Sequence, residues 1–360
     1  MLAAFNITNF RNFETVHCNF NNRWNIFYGE NGSGKTSLLE AIYYLALGRS
    51  FRSHLIRRII KYNTDGFAIF GKVQQQNELI PVGVNRSITQ GKKIKVAGEE
   101  VSSNLEITKL LPLQLLNQDS YCLFADGPKA RRQFIDRGLF HVEPDFLSLW
   151  RQVERIVEQR NAAIRTNSHQ NYIKTWDKEL SHFGFALHQR RTQYVDAFIP
   201  ITQAVLQQLL PDFSINISYF AGWDVQQDLG SVLANNLKND LHLGYTILGP
   251  QRADLRCTVN KIPVKDALSR GQQKLFLYGL QISQGILFNK LTRRNYLYLL
   301  DDLPAELDSQ KCFLLATILA QLESQVFVTG FMRSELAGLF AADSTMFHVK
   351  HGSVFLESSS

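Results

Sequence analysis

The stretch that most constrains this chain is Gly29-Glu30-Asn31-Gly32-Ser33-Gly34-Lys35-Thr36, in which two glycines separated by four residues precede a lysine and a hydroxyl residue. That pattern makes a phosphate-binding loop. Glycines let successive backbone N–H groups turn inward toward phosphate oxygens, the lysine neutralises β- and γ-phosphate charge, and the hydroxyl ligates Mg²⁺. The flanks agree with this reading. "WNIFYG" (Trp24 to Gly29) reads as an apolar strand running into the loop. Leu38, Leu39, Ile42, Tyr43, Leu45 and Ala46 recur at helical spacing after it, and Gly48 stands where a helix would stop. Gly29, Glu30, Asn31, Gly32, Ser33, Gly34, Lys35 and Thr36 are therefore the expected nucleotide-binding residues, with Thr36 also a metal ligand.

The chain of 360 residues is long enough for two domains or for one large domain with an insertion. Its 45% hydrophobic and 20% charged content is that of a globular protein rather than a disordered one. The start, "MLAAFNITNFRNFETV", lacks the basic and apolar regions of a signal peptide, and the apolar run "CFLLATILA" (Cys312 to Ala320) is short of the roughly 20 residues that span a bilayer. A cytoplasmic protein without a membrane segment is expected. Cys18, Cys122, Cys257 and Cys312 have no metal-ligand spacing and read as buried free thiols. A net charge of +7 permits a nucleic-acid partner without requiring one.

The texture changes along the chain. "AAFNITNF" and "TVHCNF" alternate as strands do, and short alternating runs from Phe67 to Val101 predict an antiparallel sheet. Between Pro128 and Pro211 the pattern is helical: Phe146, Leu149, Trp150, Val153, Ile156 and Val157 mark one helix face, and Ile173, Trp176, Leu180, Phe183 and Leu187 another. "FSINISYF" (Phe213 to Phe220) reads as a strand, and α/β character returns from about Tyr245. An ATPase core split by a helical insertion is expected: an N-terminal half over 1–118, a mainly helical lobe over 119–241 and a C-terminal half over 242–360.

Two further stretches carry chemistry. In "NYLYLLDDLPAELD" (Asn295 to Asp308), Asp301 and Asp302 stand at the carboxyl end of a short apolar strand, where ligands bind in open α/β sheets. One carboxylate can serve Mg²⁺ and the other can orient or deprotonate water, because strand alternation turns their side chains to opposite sides. In "LSRGQQKLFLYGLQISQG" (Leu268 to Gly285), Ser269 and Gly271 can offer a hydroxyl and backbone N–H groups to an anion at a helix start, or simply cap that helix.

Taken together, "LSRGQ" resembles the signature of ABC-type ATPases, "LYLLDD" their Walker B strand and "AELD" (Ala305 to Asp308) their D-loop. More closely, "NFRNF" (Asn9 to Phe13), "GENGSGKTSLLEAIYYLALGRSFR" (Gly29 to Arg52), "DGPKARRQFID" (Asp126 to Asp136), "YTILGPQRADL" (Tyr245 to Leu255) and "LSRGQQKL" resemble the bacterial RecF family, in the same order across almost the whole chain. The resemblance implies a split ABC-type P-loop ATPase head, similar to the heads of SMC proteins, with an antiparallel β subdomain and a mainly helical inserted lobe. It implies ATP and Mg²⁺ as cofactors and an ATP-dependent homodimer in which the signature of one subunit faces the γ-phosphate held by the other. It also implies binding to single-stranded, gapped or junction DNA, RecO and RecR as partners, recombinase loading in DNA repair, and support of the SOS response and replication restart.

Carried over residue by residue, Lys35 and Asp302 become catalytic and Gln114 the Q-loop glutamine. Asp301 joins Thr36 at the metal. Ser269, Arg270, Gly271, Gln272 and Asp308 act on the nucleotide of the partner subunit. Two departures stand out: Thr329-Gly330 in "FVTGFMRS" replaces the histidine that many ABC-type ATPases carry there, and "NQDSYCLF" lacks the proline-acid pair expected after "PLQLL". Basic clusters at Arg49, Arg52, Arg57, Arg58, Lys92, Lys93, Lys95, Arg131 and Arg132 are the candidate DNA contacts. Two rival readings use the same motifs. A transporter nucleotide-binding subunit would set loop and signature closer together than Thr36 and Leu268 are here. A clamp that binds ATP and barely hydrolyses it would differ only in turnover.

Overall fold

The computed structural model describes residues 1–76, 78–117, 127–303, 307–340 and 344–357. Two compact units result, residues 1–120 with 293–360 and residues 121–292. The stretch 242–292, grouped on sequence with the C-terminal ATPase half, falls in the second unit.

The first unit holds two six-stranded sheets. One is antiparallel, in the order β2-β1-β4-β5-β6-β7, from β1 (Leu2–Phe10), β2 (Phe13–Asn19), β4 (Gly66–Gln75), β5 (Glu78–Ser87), β6 (Gly91–Val96) and β7 (Glu99–Val101). The antiparallel sheet predicted over 67–101 thus also takes in the first two strands. Alternation reveals a half-buried strand but not its partner, and β1 pairs with β4 across more than fifty intervening residues (Ile7 opposite Ile69). The other sheet runs β15-β14-β3-β13-β12-β8, from β3 (Trp24–Tyr28), β8 (Leu113–Leu116), β12 (Leu297–Leu300), β13 (Val326–Gly330), β14 (Ser344–Lys350) and β15 (Ser353–Leu356). All its neighbours are parallel except β14 and β15. β12 and β13 are buried at every position, as strands covered on both faces must be.

Helix α1 (Lys35–Leu47) shares a core with both sheets: Leu38, Leu39, Ile42 and Leu45 cluster with Phe5, Ile7, Phe67 and Val84 of the antiparallel sheet and with Phe27, Leu299, Phe327 and Phe347 of the parallel one. A helix covered this way needs apolar residues nearly all round. It ends at Gly48, in the left-handed region at φ 68°, whose N–H reaches the Tyr44 carbonyl (2.7 Å).

The second unit comprises the helices Pro128–Val142, Phe146–Arg165, Gln170–Leu209, Leu229–Leu243 and Arg270–Thr292, with a three-stranded antiparallel sheet of β9 (Ile215–Phe220), β10 (Asp254–Val259) and β11 (Ile262–Pro263). The expected helix face from Ile173 to Leu187 belongs to a single 40-residue helix that continues through Pro200. Arg160 is completely buried and joins three elements, its Nε on Asp177 (2.6 Å) and its Nη1 on Asp240 (2.6 Å) and the Thr246 hydroxyl (2.8 Å). Cys18, Cys257 and Cys312 are buried free thiols; burial pushes the first two up to about 12 and the third to about 11. Cys122, and Ala305 of the expected D-loop, lie outside the described residues.

Candidate nucleotide-binding site

β3 delivers the glycine loop and α1 receives it, so Gly29–Thr36 lies at the carboxyl edge of the parallel sheet. Gly34 adopts φ 120°, where side chains are strained, and a Cβ there would lie 2.7 Å from Asn12 Nδ2 and 2.8 Å from Phe13 Cζ. Asn12 is close because its Nδ2 donates to the Ser33 carbonyl (3.0 Å). At Gly29, φ is 148° and a Cβ would overlap the Val349 carbonyl oxygen. The loop is therefore held on two sides, by the Val349 backbone and by the Asn12 and Phe13 side chains, at distances that only glycine permits.

Lys35 is 8% exposed, and its ammonium donates to the Gly29 carbonyl (2.6 Å) and the Glu30 carbonyl (2.9 Å). Burial lowers its pKa, against the opposing pull of Asp302 and Asp301. Asp301 and Asp302 follow β12 directly. The Thr36 hydroxyl donates to Asp301 Oδ1 (3.0 Å), and so does the Thr329 hydroxyl (2.8 Å) from the neighbouring strand β13. Burial raises the Asp301 pKa even though both hydroxyls favour its ionised form. Asp302 sits in the left-handed region at φ 52°, its N–H donating to Thr329 Oγ1 (2.8 Å).

A cavity of about 520 Å³ opens over these groups, lined by residues that include Asn31, Gly32, Gly34, Lys35, Thr36, Asp302 and Thr329. Arg11, Asn12, Ser37, Arg52, Arg58 and Ile60 complete its wall. Of these, only Arg52 and Arg58 were expected near any ligand, and as DNA contacts. Arg11 and Asn12 come from "NFRNF", a stretch that marks the family but whose chemistry depends on a long-range approach of the β1–β2 turn to the loop. The Arg11 guanidinium forks onto the fully buried Glu40 (2.9 Å and 2.6 Å), which Arg52 also faces at 3.6 Å.

The remaining expected residues are placed differently. Gln114 is 1% exposed and in register with Tyr298, three residues before Asp301; it is not among the residues lining the cavity. A mid-strand position keeps it away from the carboxyl edge where the loop lies. In the second unit, Ser269 and Gln272 form a reciprocal cap: the Gln272 N–H donates to Ser269 Oγ (3.4 Å) and the Ser269 N–H to Gln272 Oε1 (2.9 Å). Arg270 and Gly271 form the first turn of that helix, Arg270 exposed and Gly271 half-buried. Asp308 caps the helix Ser309–Ala320 by accepting from the Lys311 N–H (2.9 Å), and bridges the Lys311 ammonium (2.7 Å).

Among the candidate DNA contacts, Arg49, Arg57, Arg58, Lys93 and Lys95 are exposed, as is Arg52, which faces Glu40 at 3.6 Å. Others have internal partners: Arg131 forks onto Asp254 (2.7 Å and 3.0 Å), Arg132 donates to the Ala253 carbonyl (2.8 Å), and Lys92 to the Gly48 carbonyl (3.2 Å). Among the described residues no three His, Cys, Asp or Glu side chains converge as a metal site, and no helix is long and apolar enough to cross a membrane.

Residues 1–353 match the family model of the RecF/RecN/SMC N-terminal domain. The DNA replication and repair protein RecF of Coxiella burnetii (strain Dugway 5J108-111) is 44% identical over 353 residues, covering 98% of both chains. The chain belongs to the RecF family. Another relative, RecF of Psychromonas ingrahamii, is 39% identical over 357 residues and 99% of each chain. In structure the chain resembles the recombination mediator protein RecF-ATPrS of the RecFOR pathway, with a TM-score of 0.84 and 23% identity over 99% of this chain and 98% of that one. An Smc head bound to the C-terminal winged-helix domain of ScpA matches more distantly, with a TM-score of 0.62 and 14% identity over 100% and 97% of the two chains. The fold is thus that of RecF and SMC ATPase heads.

Proposed function

We propose that this chain is an ATP-dependent DNA-binding protein of recombinational repair. In this reading ATP closes a homodimer on gapped or single-strand/double-strand junction DNA, RecO and RecR are partners in loading recombinase, and slow hydrolysis releases the DNA. The same activity would serve the SOS response to DNA damage and replication restart, in the cytoplasm. The observation that carries the reading is the convergence, over one cavity, of the Lys35 ammonium, the Thr36 hydroxyl bound to Asp301, and Asp302.

In the nucleotide-bound state Lys35 exchanges its two loop carbonyls for β- and γ-phosphate oxygens. Thr36 and Asp301 would hold Mg²⁺, because a hydroxyl and a carboxylate brought together both offer the hard oxygen that this ion prefers. Bound there, the ion neutralises phosphate charge. Asp302, on the other side of the chain, orients the attacking water. Ser269 spends a lone pair on its cap, so its hydroxyl proton is available to the γ-phosphate of a second subunit. The exposed Arg49, Arg57, Arg58, Lys93 and Lys95 are the better-placed candidates for DNA phosphates.

The test is the affinity for a gapped duplex, measured by fluorescence anisotropy with and without MgATP, for the native chain and for Lys35→Met. MgATP is expected to tighten binding by the native chain only. Equal affinities in all four measurements would overturn the ATP dependence. An ATP-tightened complex whose ATP is never converted to ADP would instead favour a clamp without turnover.

A further inference from the structure

Thr329-Gly330 ends β13 where many ABC-type ATPases carry a histidine, and the structure gives the Thr329 hydroxyl two partners at once. β12 and β13 are parallel and in register at Leu300 opposite Val328, so the next residue of each strand is Asp301 and Thr329. Strand β13 is central, with Thr329 also opposite Phe27 of β3, and Thr329 is 0% exposed. From there its Oγ1 proton goes to Asp301 Oδ1 (2.8 Å) and a lone pair receives the Asp302 N–H (2.8 Å).

At this point the chain leaves the sheet. The Asp301 N–H still bonds to the β8 strand at the Leu116 carbonyl (3.2 Å), whereas Asp302 turns into the left-handed region at φ 52°. A non-glycine residue is strained there and persists only where its surroundings fix it. The N–H bond to Thr329 is such a fixing contact, at the turn from which Asp302 lines the cavity.

We propose that Thr329 is a positioning residue for hydrolysis: one hydroxyl orients Asp301 toward the metal ligated with Thr36 and pins the backbone turn that presents Asp302 to the cavity. The inference rests on the ATPase reading above. Thr329 acts through both carboxylates and needs no contact with the nucleotide. A valine, equal in shape but without the hydroxyl, leaves Asp301 with one donor and the Asp302 N–H with none.

The experiment compares the full-length native chain with Thr329→Val, Thr329→Ala and Thr329→Ser. It measures kcat for ATP, the Mg²⁺ concentration giving half-maximal turnover, and binding of a fluorescent ATP analogue with and without Mg²⁺. Loss of a group that orients a metal ligand typically costs about 10- to 100-fold in metal affinity or activity. Thr329→Val and Thr329→Ala are expected to lower kcat and raise the Mg²⁺ requirement by about that factor, while analogue binding without Mg²⁺ changes by less than about threefold. Thr329→Ser is expected to restore both. Should valine destabilise the sheet, alanine reports the same loss without a methyl facing the carboxylates; and the Mg²⁺ dependence of analogue binding can be read even where turnover is slow. A folded valine or alanine variant with native kcat and Mg²⁺ requirement overturns the proposal, as does a serine variant as impaired as valine. Lys35→Met separates the two claims: if it binds and hydrolyses ATP like the native chain, the ATPase reading of the site fails, whatever Thr329 does.

Discussion

Replacing Gly34 with alanine tests whether the loop's shape depends on the glycine and on Asn12 together. The alanine would have to hold φ 120°, a conformation costing about 1–3 kcal/mol for a residue with a Cβ. Its Cβ would also lie 2.7 Å from Asn12 Nδ2, forcing that amide off the Ser33 carbonyl and losing a hydrogen bond of about 1 kcal/mol. If both costs fall on the phosphate-ready loop, they sum to about 2–4 kcal/mol, and at 1.4 kcal/mol per factor of ten ATP affinity falls at least about 30-fold. Titration with a fluorescent ATP analogue measures this, with circular dichroism as the control for folding. Asn12→Ala alone should cost about fivefold, the worth of its hydrogen bond, but almost nothing in the Gly34→Ala background, where that bond is already lost. A folded Gly34→Ala that binds within about threefold of the native chain refutes the reasoning, as does an Asn12→Ala effect of equal size in both backgrounds.

Three further outcomes follow from the same structure. Asp302→Ala should leave ATP binding within a few-fold and lower single-turnover hydrolysis by about 10²–10⁴, the usual worth of a positioned general base; unchanged hydrolysis would remove Asp302 from the mechanism. Lys93→Ala and Lys95→Ala should each reduce the slope of log affinity for duplex DNA against log salt by about 1, whereas Arg131→Ala, tied to Asp254, should leave the slope unchanged. Burial raises the Asp177 pKa in the folded state despite its Arg160 partner. The folded chain then keeps a proton that the unfolded chain has already lost, so this carboxyl's contribution is fully present below its unfolded value and is lost as pH rises through its folded one. Asp177→Asn should accordingly gain in melting temperature relative to the native chain as pH rises above about 4, and a difference that does not change with pH would contradict the assignment.

Local pattern made much of this legible. The loop is flanked by strand and helix at the expected residues, Gly48 ends α1, and Asp301-Asp302 closes a fully buried strand, because each of these features is set by residues adjacent in sequence. What lay beyond reach depended on long-range register. The alternation in "AAFNITNF" marks a strand, yet nothing within it says that β1 pairs with β4 rather than entering the ATPase sheet. Thr329 looked like the mere absence of a histidine until β12 and β13 were aligned, and Arg11 and Asn12 reach the cavity only when the β1–β2 turn folds against the loop. Gln114 shows the reverse: its role came from the resemblance alone, while the apolar run around it read as a plain strand, and its register places it in the strand interior. Basic clusters in sequence likewise do not separate the exposed Lys93 from Lys92, which is drawn back onto Gly48.

The central claim is that ATP joins two copies of this chain on DNA through the loop of one and the signature of the other. Multi-angle light scattering of the native chain with and without MgATP and a gapped duplex, repeated with Lys35→Met and Ser269→Arg, tests it most directly. The protein mass should double only when ATP and DNA are both present, and in neither variant; a monomer under every condition, or a doubling that survives either substitution, would contradict it.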